Sequence, residues 1–184
     1  MRSDPTAAFG LSRLLLLSLV SALALGACSP IFNWRESRLG DTALLAMMPC
    51  KPETHARDVP FVHGAVTRMT VASCETGGLT FALTTADVGE TALAAKSLVV
   101  WREVVGKHWG LKPGAQLSPL NLAKADAGAV RLRATGQQAQ QEMAVDAAFF
   151  ATGSQLYQVA VIAKPPKGLT GEISETFFGG IKLQ

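Results

Sequence analysis

The sequence predicts an α+β fold: an antiparallel sheet of about six strands carrying one amphipathic helix and a short C-terminal helix. Three observations lead there. Short runs with period-two alternation recur on both sides of one long stretch with helical period, and Gly-rich pairs separate neighbouring runs at hairpin spacing. A second helix-like segment closes the chain on paired glycines. Strands, helix, strands, helix is an order that layers helices on a sheet.

In chain order, Thr42 to Met48 (TALLAMM) is a compact apolar run stopped by Pro49 and reads as the first strand. Lys51 to Pro60 is polar and proline-bounded, which suggests an extended or looping connection. Gly64 to Ser73 alternates apolar and polar residues, Glu75-Thr76-Gly77-Gly78 supplies turn chemistry, and Leu79 to Thr85 (LTFALTT) returns, so a hairpin is expected. Asp87 followed three residues later by Glu90 has the form of a capping box. Ala94, Leu98, Trp101, Val105 and Trp109 then recur at helical spacing, with Lys96, Glu103 and Lys107 on the other side, until Gly110 and Pro113 end the helix.

After a Pro- and Gly-containing connection (Lys112 to Gly128), Ala129 to Thr135, Glu142 to Thr152 and Gln155 to Lys164 read as three strands, the last two joined by a tight turn at Gly153-Ser154. Arg131 and Arg133 lie two apart and so share one face of their strand, with Val130 and Leu132 on the other. Pro165-Pro166 stops the last of these strands. Thr170 to Gly180 reads as the short helix, and Ile181-Lys182-Leu183 as an added edge strand.

The N-terminal region is different in kind. Arg2 and Arg13 precede a mostly apolar run of twelve residues without a charge, Leu14 to Leu25, short of the roughly 20 a helix needs to cross the hydrocarbon core. Leu25-Gly26-Ala27-Cys28 ends that run and resembles a bacterial lipobox. The resemblance implies a signal peptide over residues 1–27, a diacylglyceryl group on the Cys28 thiol and acylation (palmitate or a similar chain) of the new amino group. It also implies attachment to a membrane through that lipid, since each buried methylene contributes about 0.8 kcal/mol and several chains make a stable anchor. Ser29 stands where an Asp would favour inner-membrane retention, which points to the periplasmic face of the outer membrane. Ser29 to Asp41 has no sustained period, so residues 28–41 are expected to be a lipidated tether and residues 42–184 a single periplasmic domain.

The chain past residue 27 holds 157 residues, with 15 basic and 13 acidic side chains. That is one domain's length. A balance so near neutrality, with no basic stripe, speaks against nucleic acid as a partner. With Cys28 assigned to lipid, Cys50 and Cys74 remain as an even pair that an oxidising compartment would join.

At particular residues the chain resembles a group of short proteobacterial lipoproteins and exported proteins of unknown function. These are Asn33-Trp34-Arg35-Glu36, Leu45 to Pro52 (LAMMPCKP), Cys74-Glu75-Thr76-Gly77-Gly78 with Phe81, Tyr157-Gln158 and Glu175-Thr176-Phe177-Phe178. At the level of plan alone it is similar to the PsbP-like α/β/α sandwich, a group that hosts binding and assembly factors and supplies no catalytic residues here.

No G-x-S-x-G elbow, H-E-x-x-H, P-loop or C-x-x-C is present, and the histidines are His55, His63 and His108. Ser154 reads as a turn former, and His108 as a cation at a helix C-terminus. No catalytic set and no cofactor is expected. Two functional readings follow, from different classes. One is a non-catalytic binding or envelope-assembly module that contacts an unidentified envelope protein or ligand. The other is a copper- or zinc-binding protein using the Met47–Cys74 region, with Cys50, His55, His63 and Cys74 as ligands beside Met47, Met48 and Met69, because thiol, thioether and imidazole groups suit those metals. An unrecognised enzyme is a further alternative, requiring titratable groups that only folding would bring together.

Overall fold

The computed structural model describes residues 31–61, 64, 66–126 and 128–184. The elements are β1 (Arg35–Arg38), β2 (Leu44–Met48), β3 (Glu53–Pro60), β4 (Val66–Thr76), β5 (Leu79–Asp87), α1 (Thr91–His108), β6 (Gln116–Pro119), β7 (Val130–Gln138), β8 (Gln141–Thr152), β9 (Gln155–Ala163), α2 (Gly171–Gly179) and β10 (Lys182–Leu183). A seven-stranded sheet runs β3-β4-β5-β9-β8-β7-β6, antiparallel throughout, and a three-stranded sheet runs β1-β2-β10. The fold is therefore α+β.

The large sheet is covered on both faces. On one side α1 lays Ala94, Leu98, Trp101 and its capping residue Trp109 on Leu132 of β7, Met143, Val145, Ala147 and Phe149 of β8, and Leu156 and Ala160 of β9. On the other side the small sheet (Leu44, Ala46, Met48, Leu183) and α2 (Phe177, Phe178) close over Phe81, Leu83, Phe150, Tyr157, Val159 and Val161. Period-two geometry sends odd and even residues of β8 to opposite layers. Because both layers are apolar, Val145 to Ala151 is buried at every position.

Three tight hairpins build the sheet. Gly77-Gly78 takes φ of +60° and +74° between paired Thr76 and Leu79, the left-handed pair that a two-residue turn between right-twisted strands requires. In the turn between Thr152 and Gln155, Gly153 alone takes a positive φ, +58°, before Ser154. The third turn uses Ala139 and Gln140 at φ +48° and +65°, so β7 and β8 run on to Gln138 and Gln141 without any glycine to announce their junction.

Several expectations are corrected. The domain begins ahead of Thr42: Arg35–Arg38 pairs with β2, Leu39 is fully buried, and Phe32 and Trp34 pack on Phe81. Residues 32–41 thus belong to the packed domain and not to a tether. Lys51 to Pro60 holds β3, an edge strand whose polar side chains face solvent, which is why its sequence lacks an apolar face. The connection before β7 likewise contains β6. The Asp87 capping box does not form. Asp87 ends β5 and its carboxylate accepts from the Gly89 amide at 2.8 Å, while α1 starts at Thr91 with Glu90 at the N-cap and no side-chain cap bond. That amide holds the Asp87 carboxyl below its ordinary range.

The end of α1 is seated against β7 by backbone contact. A Cβ at Gly110, whose φ is +55°, would lie 2.3 Å from the Gln137 carbonyl oxygen, and one at Gly136 would lie 2.4 Å from that of Trp109. Two glycines there let a helix terminus and a strand meet main chain to main chain.

Candidate functional site

The groups with chemical potential converge under α2. Arg133 lies directly opposite Asp146 in the β7–β8 ladder, and Arg131 stands diagonal to it on the same face. Asp146 accepts from Arg131 Nε on Oδ1 and from Arg131 Nη2 on Oδ2, both at 2.8 Å, and from Arg133 Nε on Oδ2 at 3.0 Å. Glu175, projecting from α2, accepts from Arg131 Nη1 at 3.2 Å and from Arg133 Nη2. The Arg131 guanidinium carbon also sits 4.2 Å from the centre of the Phe178 ring.

Burial grades this network. The Asp146 side chain is 3 % exposed and that of Arg131 11 %, whereas Arg133 and Glu175 are at 50 % and 63 %. A planar fork matched to a carboxylate is the arrangement in which a buried pair is best compensated. Burial opposes the charge on Arg131, yet its bonds to Asp146 and Glu175 prevail and hold it above its ordinary value. The hydrogen bond from Arg131 draws the Glu175 carboxyl below the usual carboxylate range.

Beside the network a groove of about 420 Å³ opens between the strands and the first turn of α2. Gln116, Arg133, Thr135, Asp146, Thr170 and Ser174 supply its polar wall. Thr170 caps the helix by accepting from the Ile173 amide at 3.4 Å. Two carboxylates and two guanidiniums balance to zero charge, and each carboxylate is already held by two arginines. Such a set can orient polar groups of a ligand along the groove. It holds no carboxylate unencumbered for proton transfer.

The residues singled out from sequence are dispersed. Cys28 and His63 lie outside the described residues. Cys50, just after β2, is joined to Cys74 on β4, with Cα atoms 6.0 Å apart, so the bond ties the small sheet to the large one. His55 lies exposed on β3, 3.9 Å from Glu53. With both sulfurs joined as a disulfide, Cys50 and Cys74 offer no thiolate to the metal reading over Cys50, His55, His63 and Cys74. Met48 is in the core, and no group of three or more His, Cys, Asp or Glu side chains that could hold a metal occurs among the described residues. His108 meets Gln138 at 3.1 Å, and Ser154 is in its hairpin turn.

Sequence reasoning placed Arg131 and Arg133 on one face but missed their partner. The signal was present: Asp146 is a lone acid inside the apolar stretch Met143 to Phe150, and a lone acid there has to be paired.

No protein-family model and no curated protein matches this chain. Among solved structures, the chain is similar to a protein of unknown function from Pseudomonas aeruginosa, with 12 % identity, a TM-score of 0.34, and 72 % of this chain and 83 % of that chain covered. A likeness at that level carries no functional argument.

Proposed function

We propose that this chain is a lipid-anchored protein of the bacterial envelope, exposed to the periplasm and attached through Cys28, whose domain acts as a non-catalytic binding or assembly module. The observation that carries the reading is the run Leu14 to Leu25 closed by Leu25-Gly26-Ala27-Cys28, a leader ending in the one residue type that can take a thioether-linked lipid. The Cys50–Cys74 bond supports it, since disulfides persist in the periplasm and are rare in the cytosol. The mutually neutralised groove wall supports binding over acid–base chemistry.

The test is Cys28→Ala in the full chain, followed by membrane fractionation and labelling with a radioactive fatty acid. The variant is expected to lose the label, accumulate as precursor and leave the lipid-anchored fraction. Unchanged labelling and fractionation would overturn the anchor. Cross-linking in intact cells then addresses the module: a reproducible partner other than this chain is expected, and its absence counts against the assembly role.

A further inference from the structure

One long sheet edge has no strand beside it among the described residues. β3 is outermost in the seven-stranded sheet and pairs only with β4, and Glu53 to Asp58 are all exposed. An edge of this length presents main-chain donors and acceptors to whatever can pair with them. Its side chains sort by face. Glu53, His55 and Arg57 lie opposite Ser73, Val71 and Met69, on the side of the sheet that carries α1, and Thr54, Ala56 and Asp58 lie opposite Ala72, Thr70 and Arg68. Asp58 is matched at once by Arg68, 3.1 Å away.

The charges on the α1 side are not matched. Glu53 reaches only His55, at 3.9 Å, and Arg57 makes no ion pair among the described residues. Four positions along a strand put Glu53 and Arg57 about 13 Å apart, too far to meet within one chain. A second copy solves this. Antiparallel edge-to-edge pairing about a two-fold axis normal to the sheet keeps each face on its own side, so only registers that oppose residues of the same face are open.

With His55 opposite His55 of the second copy, Glu53 stands opposite the second copy's Arg57 and Arg57 opposite its Glu53, at cross-strand distances of about 5 Å. Centring the axis on Ala56 instead opposes His55 to Arg57 and Glu53 to Val59. Centring it on Arg57 sets two guanidiniums face to face. Of these three registers, the His55-centred one alone sets both Glu53 and Arg57 against opposite charges.

We propose that β3 is a self-recognition edge, pairing with β3 of a second copy in the His55-centred register and joining two seven-stranded sheets into one. Two ion pairs then occupy the α1 side of the seam. This is independent of membrane attachment, although confinement to one leaflet would raise the effective concentration of the copies.

The experiment uses the full chain in whole cells, soluble and membrane fractions alike, with a mild oxidant, read on non-reducing gels. His55→Cys is expected to give a dimer-sized band, while the unmodified chain and Val104→Cys, an exposed position on α1, give none. On the His55→Cys background, Glu53→Arg alone or Arg57→Glu alone should abolish the band, because each creates two like-charged pairs. Co-expression of those two variants should restore it as a mixed dimer, and so should both changes in one chain. Restoration also shows that the single variants are folded. Absence of the dimer band, a band indifferent to the charge changes, or cross-linking to a different protein would each overturn the proposal.

Discussion

The two faces of the large sheet are closed by different chemistry. On the α1 side the contact is mostly apolar: Trp101 stands edge-on to Phe61 and Phe149, at 5.6 and 6.5 Å, and among the buried polar residues of that side, Thr84, Ser97 and Gln158, the Ser97 hydroxyl has no hydrogen-bond partner. On the α2 side an aromatic core of Phe81, Phe150, Tyr157 and Phe177 is joined by a disulfide and a four-membered ion network. Apolar burial is non-directional and supplies most of the free energy. Disulfides and forked ion pairs are directional. They appear on the side where three separate pieces, β1-β2, α2 and β10, have to be held in register, while the opposite side is covered by a single continuous helix.

The strongest way to break this comparison is through the shared apolar contribution. Phe150→Ala on one face and Trp101→Ala on the other are each expected to cost about 3–5 kcal/mol, read from denaturant midpoints. A much smaller loss for Trp101→Ala would mean that α1 is a lid and not half of the core. Next comes the network. Asp146→Ala strands the buried Arg131 guanidinium and is expected to cost about 3–5 kcal/mol, whereas replacing Asp146 and Arg131 together by apolar residues of similar size should recover most of that. If the double replacement is as unstable as the single one, the network contributes more than mutual compensation.

Reducing the disulfide, or replacing Cys50 and Cys74 together by Ala, should cost about 3 kcal/mol on the loop-entropy account for a separation of 24 residues, measured as the shift in unfolding midpoint. On the helix side, Ser97→Ala removes a buried hydroxyl without a partner and is expected to stabilise the protein by up to about 1 kcal/mol. The smallest effect is that of Glu175, which is largely exposed. Its folded carboxyl titrates below the unfolded one, so its contribution is present above the ordinary carboxylate range and is lost as pH falls through the folded value. Glu175→Gln should flatten that part of the stability–pH curve and change stability at neutral pH by less than about 1 kcal/mol.

What could be read from the chain divides by how local the cause is. Gly77-Gly78 and Gly153-Ser154 announced their hairpins because a left-handed backbone demands such residues. The Ala139-Gln140 turn was silent because the flanking ladder imposes its conformation on residues that do not favour it. β1 and β3 were missed for the converse reason: each is a strand through its pairing partners, and a solvated edge has no apolar face to show. The apparent capping box failed because β5 continues to Asp87 by pairing with β9, and that carries the acid out of capping range.

The candidate site followed the same rule. That Arg131 and Arg133 share a face is a matter of spacing. That Asp146 meets them and Glu175 reaches across from α2 depends on the register of β7 with β8 and on where the C-terminal segment docks. By itself the chain determined the types of the apolar-patterned elements, the pair of cysteines left once Cys28 is set aside, and the near-neutral charge, because these come from composition, spacing and backbone preference. Tertiary structure alone decided which edge stayed open among the described residues, which acid was buried, and that residues 32–41 pack with the domain, because each of those rests on contacts between residues far apart in sequence.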